Sequence, residues 1–101
     1  MQLTPANTSV AIYTTPSGET TIIKRVILHN AHTAAITFYL GVAGIGPNAS
    51  SNYMKRTVAA DSYEDIEVWW VVPETVPFNA RADNNVGRVS MFGAELEGVA
   101  D

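Results

Sequence analysis

His29 and His32 stand three residues apart, a spacing that on a helix would turn two imidazoles to one side and suit a transition metal. Here they flank a turn after a run of β-branched residues, and the sequence nominates no third ligand, so no metal site is expected. Asp61, Glu64, Asp65 and Glu67 gather carboxylates that could hold calcium through oxygen. Their spacing fits no calcium loop, and a solvated acidic edge that discourages strand-to-strand aggregation accounts for them. The chain has no cysteine, which removes thiol nucleophiles, disulfides and Cys-based zinc. No G-x-S-x-G elbow is present, and neither histidine has a serine and an acid near it in a recognisable order. A carboxylate pair for glycoside hydrolysis would need a deep cleft to raise one pKa, which a domain this small seldom forms. The expectation is a protein that is not an enzyme, with no catalytic residue, no cofactor and no metal.

Contact chemistry is better represented. Neighbouring residues on a strand point to opposite faces, so if Ile66, Val68, Trp70 and Val72 face a core, then Asp65, Glu67, Trp69 and Val71 face outward. Tryptophan is enriched at the centres of protein interfaces and also stacks on sugar rings. Trp69, Glu67 and Val71 are therefore candidate interface residues. Residues 20–29 (TTIIKRVILH) place Ile22, Lys24, Val26 and Leu28 on one side and Ile23, Arg25, Ile27 and His29 on the other. Each side mixes apolar groups with a charge, which implies that both are covered and adds Ile23, Arg25 and Ile27 to the candidates. Tyr39, on the outer side of the next strand, completes the set.

The elements that must position these residues read as strands. Short runs of Val, Ile, Thr and aromatic residues are cut by Gly, Pro and Asn, and β-branched side chains favour a pleated sheet over a helix. Residues 8–14 (TSVAIYT) form a first strand, closed by a turn at 15–18, and the second follows at once. After the short connection 30–34, residues 35–43 (AITFYLGVA) point Ile36, Phe38, Leu40 and Val42 inward and Thr37, Tyr39 and Gly41 outward. That strand either pairs antiparallel with the second or crosses to a facing sheet. Residues 44–52 (GIGPNASSN) are the longest loop and offer little to anchor a core. A weak strand at 53–60 and a long one at 63–72 come next; Pro73 and Pro77 then interrupt the ladder. Residues 78–82 and 86–97 are the last strands. In the final one Val89 and Met91 fit one face, Phe92, Ala94 and Leu96 the other, with Glu95 and Glu97 outward, a conflict that a bulge at Gly93 would reconcile.

Seven to eight short strands with no helical periodicity imply an all-β fold, an antiparallel two-sheet sandwich with jelly-roll or Greek-key-like topology and no long helix. At 101 residues the chain forms one domain, residues 1–101, with residues 1–9 as an N-terminal arm. A net charge of −4 and only six basic residues argue against nucleic acid, whose binding draws on Lys and Arg. No run approaches the roughly 18 apolar residues of a membrane span, and the first nine residues are too polar for a signal peptide.

Taken together, TTIIKRVILHN, AITFYLGVA, the short FNARADN after a proline and the closing VGRVSMFGAELEG resemble the small β-sandwich virion proteins of tailed bacteriophages. The second strand ends on an asparagine, Asn30, and the closing strand carries Gly93 and Glu95, as in that group; the resemblance spans residues 19–97. It implies a non-enzymatic structural protein of the virion, assembled in the host cytoplasm: a capsid decoration or cement protein, a head-tail component or a tail component. The expected partners are copies of itself and other virion proteins. The alternative is a small carbohydrate-binding module that would use Trp69, Tyr39 and the 44–52 loop.

Overall fold

Gly, Pro and Asn cut the chain into seven strands: β1 (Val10–Thr14), β2 (Glu19–Asn30), β3 (Ile36–Val42), β4 (Asn52–Val58), β5 (Ser62–Val72), β6 (Pro77–Ala82) and β7 (Gly87–Glu97). The computed structural model describes Leu3 and residues 6–43, 45–50 and 52–97, with backbone alone for 94–97. No helix occurs among the described residues. The strands form two antiparallel sheets, one of four strands in the order β1-β6-β3-β4 and one of three in the order β5-β2-β7. The all-β sandwich is thus as expected. β3 crosses to the facing sheet and pairs with β4 and β6.

Between the sheets lie Ile23, Val26, Leu28, Ile36, Phe38, Leu40, Val58, Val72, Phe78, Ala80, Ala82 and Val89, all 2 % exposed or less. Burying a Leu, Ile, Val or Phe side chain contributes about 1.5–3 kcal/mol, so this cluster is the main source of stability. Ile23 corrects an expectation: it sits inside, not on the outer face. The cause is a register shift between Ile23 and Arg25 in the pairing of β2 with both neighbours. Strict alternation would have placed Lys24 inward with Val26. The irregularity instead leaves Lys24 and Arg25 both exposed, with Thr21 and Ile23 on the same inward side as Val26 and Leu28.

The same irregularity replaces the expected bulge at Gly93. β7 keeps its phase from Arg88 to Phe92: Val89 and Met91 pack on the core side while Arg88, Ser90 and Phe92 are exposed, and Gly93, exposed as well, lies opposite Ile23 where the shift falls. The side chains of Ala94, Glu95, Leu96 and Glu97 lie outside the described residues. Gly93 answers a different demand, because a Cβ there would lie 2.0 Å from the Ile22 carbonyl oxygen. Only glycine lets the irregular stretch of β2 come so close.

Asn30 is fully buried at the end of β2. Its Nδ2 donates to the carbonyls of Ala34 (2.9 Å), Val58 (3.0 Å) and Ala59 (3.0 Å), and its Oδ1 accepts from the His32 amide at 2.7 Å. One side chain so ties the exit of β2 to the end of β4 in the opposite sheet. Two segments outside the expected strands also reach the interior. Leu3, within the supposed arm, is 0 % exposed, and its amide donates to Gly87 O at 2.8 Å; Ile45, within the long loop, is buried as well.

Candidate functional site

The outer face of the β5-β2-β7 sheet holds most of the large apolar side chains that the fold leaves uncovered. Period-two alternation in β5 turns Tyr63, Asp65, Glu67, Trp69 and Val71 outward and their neighbours toward the other sheet. Trp69 is 65 % exposed, Tyr63 67 % and Val71 50 %; Phe92, two strands away on β7, is 52 % exposed. Trp70 takes the opposite side, its ring 5.4 Å from Tyr53 and 5.5 Å from Phe78. The two adjacent tryptophans therefore divide as alternation requires, one packed and one presented.

Cross-strand register arranges the face in rows. Glu67, Arg25 and Phe92 lie side by side across β5, β2 and β7; so do Asp65, Ile27 and Ser90, and Tyr63, His29 and Arg88. Both cations freed by the β2 irregularity lie near rings: Lys24 Nζ is 5.5 Å from the centre of Trp69, and the Arg25 guanidinium is 5.9 Å from that of Phe92. Arg25 also forks onto Asp65, Nε donating to Oδ1 at 2.7 Å and Nη2 to Oδ2. The hydrogen bonds from Arg25 hold the Asp65 carboxyl below its ordinary range, and Asp65 raises the guanidinium further in turn. With Glu67 these two side chains line a shallow, open depression. Nothing about it resembles an enclosed substrate pocket.

Of the residues nominated from sequence, this face gathers Trp69, Glu67, Val71, Arg25 and Ile27 on one surface. Ile23 lies behind it in the core. Tyr39 belongs to the other sheet, where it is only 8 % exposed, with Lys55 on one side (5.7 Å) and Arg81 on the other (5.4 Å). The trio imagined for sugar binding, Trp69, Tyr39 and the 44–52 loop, is consequently split between two sheets. Tyr63 and Phe92 were missed. Tyr63 could have been found by extending the alternation of Trp69 backward, whereas Phe92 was hidden by the phase assigned to β7. His29 is exposed and His32 half-buried, and no group of three or more metal-ligating side chains forms among the described residues.

No protein-family model matches the chain, and no curated protein or solved structure matches it significantly. The functional reading accordingly rests on this face and on the pattern of strands.

Proposed function

We propose that the chain is a non-enzymatic structural protein of a bacteriophage virion, a capsid decoration or cement, head-tail or tail component, that docks on its neighbours through the outer face of β5-β2-β7. The observation that carries the docking role is the exposure of Trp69, Tyr63, Val71 and Phe92 on one side of the sandwich. Exposed Trp and Tyr beside Arg is the composition of interface hot spots, and burial of such rings is worth most where charged neighbours can close around them. Placement in a virion is supported by the strand pattern that resembles small phage sandwich proteins. A flat, open face also suits broad protein contact better than enclosure of a small ligand.

The experiment is hydroxyl-radical footprinting, read by mass spectrometry, of virions purified from the phage that encodes the chain. The expected result is the chain in repeated copies per particle, with Trp69 protected relative to free chain. Absence from the particle, or equal oxidation of Trp69 in both, overturns the proposal. Binding on a glycan array that disappears in Trp69→Ala would favour the carbohydrate alternative instead.

A further inference from the structure

Resting on the docking role proposed for the β5-β2-β7 face, we infer that one of its occupants is a second copy of this chain, packed face to face about a two-fold axis that runs along the strands between β5 and β2. Register selects that axis. Ile22 pairs with Val71 and Arg25 with Glu67, while Lys24 lies beside Trp69. These six side chains turn away from the core and form two columns: Val71, Trp69 and Glu67 on β5, and Ile22, Lys24 and Arg25 on β2. A two-fold along the strands keeps each residue at its height and exchanges the columns. Glu67 of one copy then meets Arg25 of the other, Trp69 meets Lys24 and Val71 meets Ile22, and each contact occurs twice. Asp65, whose charge Arg25 already holds, meets Ile27.

The groups that would make these contacts are still available. The fork to Asp65 uses Nε and Nη2 of Arg25, and Nη1 has no hydrogen bond among the described residues. Glu67 and Lys24 form no ion pair among the described residues. An unpaired acid on one strand and unpaired cationic donors on the next make a self-complementary surface.

Other placements of the axis fail on the same register. Along β2 it stacks Arg25 on Arg25, and along β5 Glu67 on Glu67. Turned across the strands and centred at Glu67, it opposes that carboxylate to its own copy; centred at Trp69, it brings Lys24 onto Lys24. Like charges set face to face are costly. Between β2 and β7 the axis leaves Trp69 outside the contact. Only between β5 and β2 do opposite charges meet with Trp69 covered.

Area sets the strength of the contact. The overlap is two strands wide, about 10 Å, and as long as the eleven residues of β5, about 36 Å, or roughly 350 Å² per copy. That is less than half of the roughly 800 Å² per partner of a standard interface, so the dimer of free chains is weak and concentration-dependent. Phe92 on β7 stays outside the overlap, open to other neighbours.

The test is sedimentation velocity of the full chain at low ionic strength, in a concentration series up to about 1 mM. The expected result is a transition from 10.9 kDa to twice that mass. Glu67→Lys and Arg25→Glu, both at exposed positions, are each expected to weaken the dimer at least tenfold in dissociation constant. An equimolar mixture of the two should restore it, because both contacts between unlike chains then join opposite charges, although the pair within each chain stays mismatched. Trp69→Ala should weaken the dimer by a similar factor, and it decides the matter if Arg25→Glu does not fold. A chain that stays monomeric throughout, associates without limit, keeps its dimer in Trp69→Ala, or gains nothing on mixing the charge variants overturns the inference. Protection of Trp69 in virions by a chain that is monomeric alone would sink the dimer and leave the docking proposal standing. A charge-dependent dimer of a chain absent from virions would do the reverse.

Discussion

Each sheet turns a ring with a cation beside it away from the core, and the two rings end differently. Tyr39 lies on β3, with a strand on either side, and register sets Lys55 of β4 and Arg81 of β6 directly beside it. The 45–50 loop then presses on Arg81, since a Cβ at Gly46 would fall 2.5 Å from its Nη1. The ring is left 8 % exposed. Trp69 lies on β5, an edge strand with one neighbour, and among the described cations Lys24 alone reaches it. Phe92, on the other edge of that sheet, has Arg25 alone among the described cations. The same pairing of cation and ring thus closes a surface when the ring is on an inner strand and leaves it open at an edge. Coverage is decided by place in the strand order more than by residue type.

That comparison can be broken most severely through the scaffold both faces share. Asn30→Ala leaves three carbonyls without their donor, that of Val58 buried, and should cost about 3 kcal/mol, lowering the urea midpoint whether unfolding is followed by tryptophan fluorescence or by far-UV circular dichroism. Gly93→Ala forces β7 away from the Ile22 carbonyl and should cost about 2 kcal/mol in the same measurement, although its methyl lies in only one sheet. The faces themselves should part company at the next level. Tyr39→Ala removes a covered ring and is expected to destabilise the free chain by about 2 kcal/mol, whereas Trp69→Ala should change it by less than about 0.5 kcal/mol. Equal losses in calorimetry would show that the two rings are equivalent after all.

The smallest effect concerns the ion pair. Because Arg25 lowers the Asp65 pKa in the folded chain, the pair contributes stability above the ordinary carboxylate value, and that contribution is lost as pH falls through the lowered one. Both groups are solvated, so the effect should be weak and fade with salt. A urea series from neutral pH to about pH 2 should therefore show a shallower acid limb for Asp65→Asn at low ionic strength. An unchanged acid limb would mean that the fork to Arg25 does not hold in solution.

Strand existence was legible because β-branched runs and turn residues agree along most of the chain. The face of β5 was legible for the same reason, its carboxylates and Trp69 sharing one period. The phase of β2 was not. Lys24-Arg25 puts one charge on each side under strict alternation, so nothing in the sequence marked the irregularity that sends both outward and Ile23 inward. Leu3 and Ile45 were invisible for another reason: each is a lone apolar residue in a polar stretch, and only tertiary packing assigns it to the core. Asn30 could be read as the end of a strand, while its three carbonyl partners, two of them beyond the next strand, could not.

The order of the strands has a consequence in time. Only β3 and β4 are joined as neighbours within one sheet; every other connection passes between sheets, and β2 at the centre of its sheet must wait for β5 and β7. With Thr21 opposite Glu95, pairing spans most of the chain, and such non-local topologies fold on the order of milliseconds to seconds. Translation would have to pass β7 before β2 could find its second partner. The surface that bears Trp69 and Phe92 comes into being only once β7 has been made, so a chain terminated before β7 lacks that face.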